Sequence, residues 1–124
     1  MDALGRHILA ELHDCDPALL ADRATIEEIM VSAALRAGAE IREVAFHQFS
    51  PQGVSGVVVI SESHLAIHTW PEFGYCALDA FTCGSSVNPQ LVCNFVAEAL
   101  GASTVEWIEV ARGRIPPFRK DDQR

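Results

Sequence analysis

No apolar run in this 124-residue sequence approaches the ~18 residues a membrane-spanning helix needs. The N-terminus, MDALGRHILAELHDCD, lacks a signal-peptide layout, so the protein is expected in the cytoplasm and without a membrane partner. Positive charge is scarce too. Nine Lys and Arg face 17 Asp and Glu, a net charge of −8, which speaks against nucleic acid and anionic membrane surfaces as partners. That balance is compatible with a cationic substrate, although a solvated acidic surface is the simpler explanation. No CxxC spacing is present, which removes the usual redox and zinc-ribbon signatures. Cys15, Cys76, Cys83 and Cys93 could form two disulfides, but in the cytoplasm they are expected reduced, most of them as small core residues. No linker or internal repeat interrupts the chain, so residues 1–124 are read as one domain.

What remains is 49% hydrophobic and 21% charged, ordinary for a globular fold. The Leu4–Leu12 stretch alternates, with Ile8, Ala10 and Leu12 on one side, and predicts a strand. Asp14-Cys15-Asp16-Pro17 is a turn leading into a helical turn, with Pro17 at its first position. A longer helix is predicted from Ile26 to Ala37. Thr25 and Glu28 would form its capping box, Gly38 its left-handed end, and Ile26, Ile29, Met30, Ala33, Ala34 and Ala37 its apolar stripe. Strands follow at Glu40–Phe49 and Val54–Ile60, joined by Ser50-Pro51-Gln52-Gly53. The second is β-branched enough to be buried on both faces. Leu65–Trp70 and Tyr75–Cys83 form a hairpin across Pro71–Gly74. Asn88 caps a helix from Pro89 to Leu100, closed by Gly101, with Leu91, Val92, Phe95, Val96 and Ala99 inward. Thr104–Ala111 is a last strand before a polar, proline-containing tail. This order predicts an α+β two-layer sandwich: a mainly antiparallel sheet with both helices on one face. The other face is left without helices, so it is either solvated or meets a partner, for which a homodimer is the natural arrangement.

Reactive side chains concentrate in Ser61–Gly84, SESHLAIHTWPEFGYCALDAFTCG. His64 and His68 are four apart, which puts both on one face of a strand. With Cys83 they could hold zinc through three ligands and a water, although no fourth protein ligand is evident. Cys83 with His68 could instead be a nucleophilic pair, though such residues on strands are more often packing or surface positions. Trp70, Phe73 and Phe81 read most simply as core aromatics. Glu62-Ser63-His64 allows a third chemistry. A serine in a strained turn can attack its preceding carbonyl, and elimination from the resulting ester leaves a pyruvoyl group, an electron sink for amine chemistry. Glu-Ser is too common a dipeptide to select among these readings.

Three motifs carry a resemblance: LGRHILAE, FHQFSPQGVSGVVVISESHLAIHTWPEFGY and LDAFTCG. Together they make the chain, from about Leu4 to Arg114, similar to the short prokaryotic class of pyruvoyl-dependent S-adenosylmethionine decarboxylases. The resemblance implies autocatalytic cleavage of a zymogen between Glu62 and Ser63, giving a β chain 1–62 and an α chain 63–124 that stay together. The cofactor is then a covalent pyruvoyl group derived from Ser63, which forms a Schiff base with the substrate; no metal or dissociable cofactor is implied. His68 resembles the group that takes a proton during elimination, and Ser55 the residue that supports the acyl-shift intermediate. Cys83 resembles the acid that protonates the substrate α-carbon, a role suited to a thiol. Phe49 resembles the ring that stacks on adenine, Glu72 the carboxylate that binds the ribose hydroxyls, and Glu11 an acidic residue near the site. The implied protein is a homodimeric carboxy-lyase with active sites shared between protomers, producing the aminopropyl donor of spermidine biosynthesis. Relatives with the same pyruvoyl machinery decarboxylate arginine or ornithine, but Phe49 and Glu72 favour a nucleoside substrate. The chain departs from the family pattern at Leu12, His13, Gln48 and Cys76, and its tail from Ile115 matches poorly.

Overall fold

A computed structural model describes residues 3–61 and 63–115. The order is β1 (Gly5–His13), α1 (Pro17–Leu20), α2 (Arg23–Arg36), β2 (Ile41–Gln48), β3 (Val54–Ile60), β4 (Ser63–Trp70), a 3-10 turn (Pro71–Phe73), β5 (Tyr75–Cys83), α3 (Pro89–Leu100) and β6 (Thr104–Arg112). All six strands join one sheet in the order β2-β3-β4-β5-β1-β6, and every neighbouring pair is antiparallel. The predicted α+β sandwich is therefore the fold. Among the described residues no helix is long and apolar enough to cross a membrane.

Alternation along the strands explains the layers. Ile8, Ala80, Leu65 and Val58 lie side by side across β1, β5, β4 and β3, and all are buried against the helices. α2 packs over β2 and β3, and α3 over β5 and β1, with Ile26, Met30, Val92 and Val96 completing the core. The ring of Phe46 covers Gly56, where a Cβ would overlap it. The opposite face carries Leu9, Val59, Ile108 and Val110, all more than a third exposed. β6 lies at the sheet edge and is exposed along its length.

Five local expectations are corrected. α2 begins three residues early, because Asp22 is extended (φ −105°) and becomes the N-cap residue. Thr25 then lies inside the first turn, where its hydroxyl donates to the Asp22 carboxylate at 2.6 Å. The first helical N–H, that of Arg23, is satisfied by Gln48 Oε1 at 3.1 Å. β3 is buried on one face only; Val59 is 38% exposed because no helix covers its side. α3 buries Cys93 and Leu100, while Leu91 points outward. Trp70 and Phe73 are exposed and Phe81 is half-buried, because they lie on the bare face or in the turn. The last strand runs on through Arg112, and residues 116–124 of the predicted tail lie outside the described residues.

Candidate active site

One end of the bare face is a cleft of about 300 Å³ lined by Phe49, Gln52, Gly53, Ser55, His68, Thr69, Trp70 and Glu72. Ser55 and His68 are register partners on β3 and β4, so both side chains emerge on this face, with Ser55 Oγ 2.9 Å from His68 Nδ1. Phe49 sits just past β2, and its N–H donates to the Gly53 carbonyl at 2.8 Å to close the loop. Gly53 adopts φ 112°, a conformation that suits glycine. Thr69 anchors the floor from its buried side: its hydroxyl accepts from Val54 N–H and donates to the Leu20 carbonyl, both at 2.9 Å. Pro71 starts the 3-10 turn that presents Glu72, and Gly74 ends it at φ 61°. Trp70 continues the wall by stacking on Tyr75, which stacks in turn on His13.

The other end is built from ionisable groups. Ser63 opens β4 opposite Thr82 of β5, and its φ of 145° is unusual for a residue with a side chain. Its Oγ lies 3.5 Å from Nδ1 of the neighbouring His64. Asp79 Oδ2 is 3.5 Å from His64 Nε2 and 3.0 Å from His7 Nε2. Arg112 Nη1 donates to His7 Nδ1 at 2.8 Å. Phe81 stacks on His7, meets the His64 ring edge-on and lies under the Arg112 guanidinium. Cys83, half-buried, follows Thr82 at the end of β5 against Gly5. A Cβ on Gly5 would lie 2.8 Å from the Phe81 ring, so only glycine fits beside it. Glu62 lies outside the described residues.

The predicted residues therefore fall into two groups. Phe49, Ser55, His68 and Glu72 share the cleft; Ser63 and Cys83 do not reach it. Ser63 and His68 are separated by five residues of one strand, about 16 Å at the usual rise. Cys83 is six register positions from Ala77, the partner of His68, or about 20 Å along the sheet. Within one copy that distance removes both the zinc set of His64, His68 and Cys83 and the Cys83–His68 nucleophilic pair. Glu11 is two strands from His68 across Ala77, beside a depression formed with Leu9, Glu106, Trp107 and Ile108. Burial, and then the Glu11 carboxylate hydrogen-bonded to it, push the Tyr75 hydroxyl up to about 12.

All four cysteines are free thiols. Burial pushes the Cys93 thiol up to about 12, as befits a core residue, and the neighbouring Cys15 thiol followed by burial pushes Cys76 up as well. Sequence reasoning missed His7, Asp79 and Arg112. Their only signal was position: His7 and Asp79 occupy the polar phase of alternating strands. Nothing in their spacing tied them to His64.

Fold and side chains together define an α+β protein with its reactive groups displayed on an uncovered sheet. A family profile described as S-adenosylmethionine decarboxylase matches residues 6–113. The S-adenosylmethionine decarboxylase proenzyme of Acetivibrio thermocellus is 66% identical over 113 residues, covering 91% of each chain. The proenzyme of the same description from Moorella thermoacetica is 63% identical over 117 residues, covering 94% of each. The crystal structure of the adenosylmethionine decarboxylase from Aquifex aeolicus superposes with a TM-score of 0.87 at 30% identity, over 94% of this chain and 96% of that one. The chain belongs to the S-adenosylmethionine decarboxylase family and is a carboxy-lyase.

Proposed function

We propose that this chain decarboxylates S-adenosylmethionine with a pyruvoyl group made from its own Ser63, after self-cleavage at Glu62–Ser63 into chains 1–62 and 63–124. We further propose that each active site is shared between two copies. The observation that carries the reading is the separation of the two residue groups on one bare sheet face. An isologous pairing of that face sets the Ser63 end of one copy against the cleft of the other, and covers Leu9, Val59, Ile108 and Val110. The Ser63 environment fits the group: a serine in a strained conformation with its hydroxyl beside an imidazole can rearrange and eliminate.

Once formed, the pyruvoyl carbonyl supplies the electron sink for loss of CO2. The chain's own residues do the rest. Phe49, 47% exposed at the cleft mouth, offers its ring to adenine and, by cation–π attraction, to a sulfonium. Glu72 accepts hydrogen bonds from the ribose hydroxyls. His68, oriented by Ser55, takes the proton removed during elimination, and Cys83 Sγ delivers a proton to the substrate α-carbon after CO2 leaves. Glu11 adds negative charge beside the bound cation. The product is an aminopropyl donor of the kind spermidine synthesis consumes.

Two measurements test this. Intact mass should resolve two chains in place of one 13.5 kDa species. CO2 release should occur from S-adenosylmethionine and not from arginine or ornithine. Release from a free amino acid alone would overturn the substrate assignment.

A further inference from the structure

The Ser63 end holds a chain of polar contacts for which the proposed function gives no task, running Arg112, His7, Asp79, His64, Ser63; three links are hydrogen bonds, and the link from Asp79 to His64 is a charge contact at 3.5 Å. Donor and acceptor chemistry orients every link. Arginine can only donate, so His7 Nδ1 is an acceptor and His7 Nε2 carries the proton that faces Asp79. The Asp79 carboxylate, with Oδ2 3.5 Å from His64 Nε2, favours the tautomer that carries its proton on Nε2, which leaves the His64 Nδ1 lone pair facing Ser63 Oγ. The ligand-type atoms of His7, His64 and Asp79 lie within 4.8 Å of one another, a spacing a metal ion could use. An ion there would need the His7 Nε2 lone pair. That would turn Nδ1 into an N–H pointing at the Arg112 N–H, so the arrangement suits proton transfer and not metal binding.

We propose that His64 is the base that starts self-cleavage, with Asp79 as its positioning residue and His7 and Arg112 holding Asp79 in place. This role rests on the self-cleavage reading above. As Ser63 Oγ attacks the carbonyl carbon of the preceding peptide, the hydroxyl proton passes to His64 Nδ1 and the Oγ–C bond forms. The C–N bond then breaks, and the same proton is returned to the departing Ser63 nitrogen. The step is a redox-neutral amide-to-ester exchange with no co-reactant. The Asp79 carboxylate stabilises the imidazolium, as the third member of a serine–histidine–aspartate set does. The 3.5 Å gap between Oγ and Nδ1 is of the kind that shortens as the reaction begins. His68, some 13 Å further along β4, acts on the ester only after it exists.

The test follows cell-free translated chains on denaturing gels, with and without hydroxylamine, which cuts an ester and spares an amide. His64→Ala should cleave at least about a hundredfold more slowly. Its uncut chain should resist hydroxylamine, and added imidazole should restore cleavage. His68→Ala should accumulate hydroxylamine-sensitive chain, and the double variant should behave like His64→Ala. Asp79→Asn should slow cleavage less, again without sensitive ester, and supplies the answer if His64→Ala fails to melt cooperatively. Wild-type cleavage rates in His64→Ala or Asp79→Asn, or hydroxylamine-sensitive chain accumulating in His64→Ala, would overturn this role alone. A wild-type chain that never cleaves would remove the self-cleavage reading itself, and this role with it.

Discussion

The two ends of the bare sheet face are held together by different kinds of contact. At the cleft, backbone does the holding: Gly53 and Gly74 turn the chain, and Thr69 and Gln48 tie side chains to main-chain groups. At the Ser63 end, side chains hold one another, through Asp79 between two imidazoles and Arg112 behind them. The difference follows from the tasks proposed for them. Recognition of a large substrate needs a fixed shape, which backbone hydrogen bonds supply. Moving a proton needs neighbouring groups that can gain and lose one, and those must be side chains, as they are throughout the Ser63 end and, within the cleft, at Ser55 and His68. Neither end contains the other's residues, which is why the proposed site takes one end from each of two copies.

The sharpest way to break this comparison is to put a defect in each end of different copies. Ser63→Ala and His68→Ala should each be inactive alone. Co-expressed, they should recover about a quarter of wild-type sites, because half of randomly formed dimers are mixed and each mixed dimer has one intact pair. Zero recovery would mean that both ends serve within one chain.

Next in size is a change beneath both ends. Met30 is fully buried under the sheet, and Met30→Ala should cost about 2–5 kcal/mol in chemical denaturation, with both ends lost in one transition. Separate transitions for the cleft and the Ser63 end would mean that they do not share one core.

The smallest effect concerns the Arg6–Glu109 pair near the Ser63 end, closed at 2.7 and 3.0 Å. The Arg6 guanidinium holds the Glu109 carboxyl below the usual range. A depressed carboxyl stabilises the fold above its unfolded value, and that stability is lost as pH falls through its folded value. Because the pair is exposed, Glu109→Gln should cost at most about 1 kcal/mol near neutral pH. The difference from wild type in thermal midpoint should vanish in acid. A difference that persists there would assign the pair a packing role.

Much of the frame was legible because it is local. Asn88, Pro89 and Gly101 bracket α3 as capping chemistry requires, and Pro71–Gly74 marks the hairpin. Thr25 misled because Asp22, three residues earlier, is an equally good cap residue, and only the contact with Gln48 of β2 decides between them. β3 misled because a run of valines looks the same whether a helix or solvent covers its second face. The candidate site was legible where a known family pattern covered it, and illegible at His7, Asp79 and Arg112, because the contacts of His7 with Asp79 and Arg112 span 72 and 105 residues.

The sequence by itself determined which side chains share a face, because a strand alternates with a period of two and the apolar phase must go inside. Ser55, His68, His64 and Asp79 were bound to emerge opposite the core. Only the tertiary structure decided which of them meet. Register is set by the pairing of strands distant in the chain: it puts Ser55 against His68, holds Ser63 far from both, and brings His7 to Asp79. The contact of Ser63 with His64 depends on one backbone angle, φ 145°, since an ideal strand would send adjacent side chains to opposite faces.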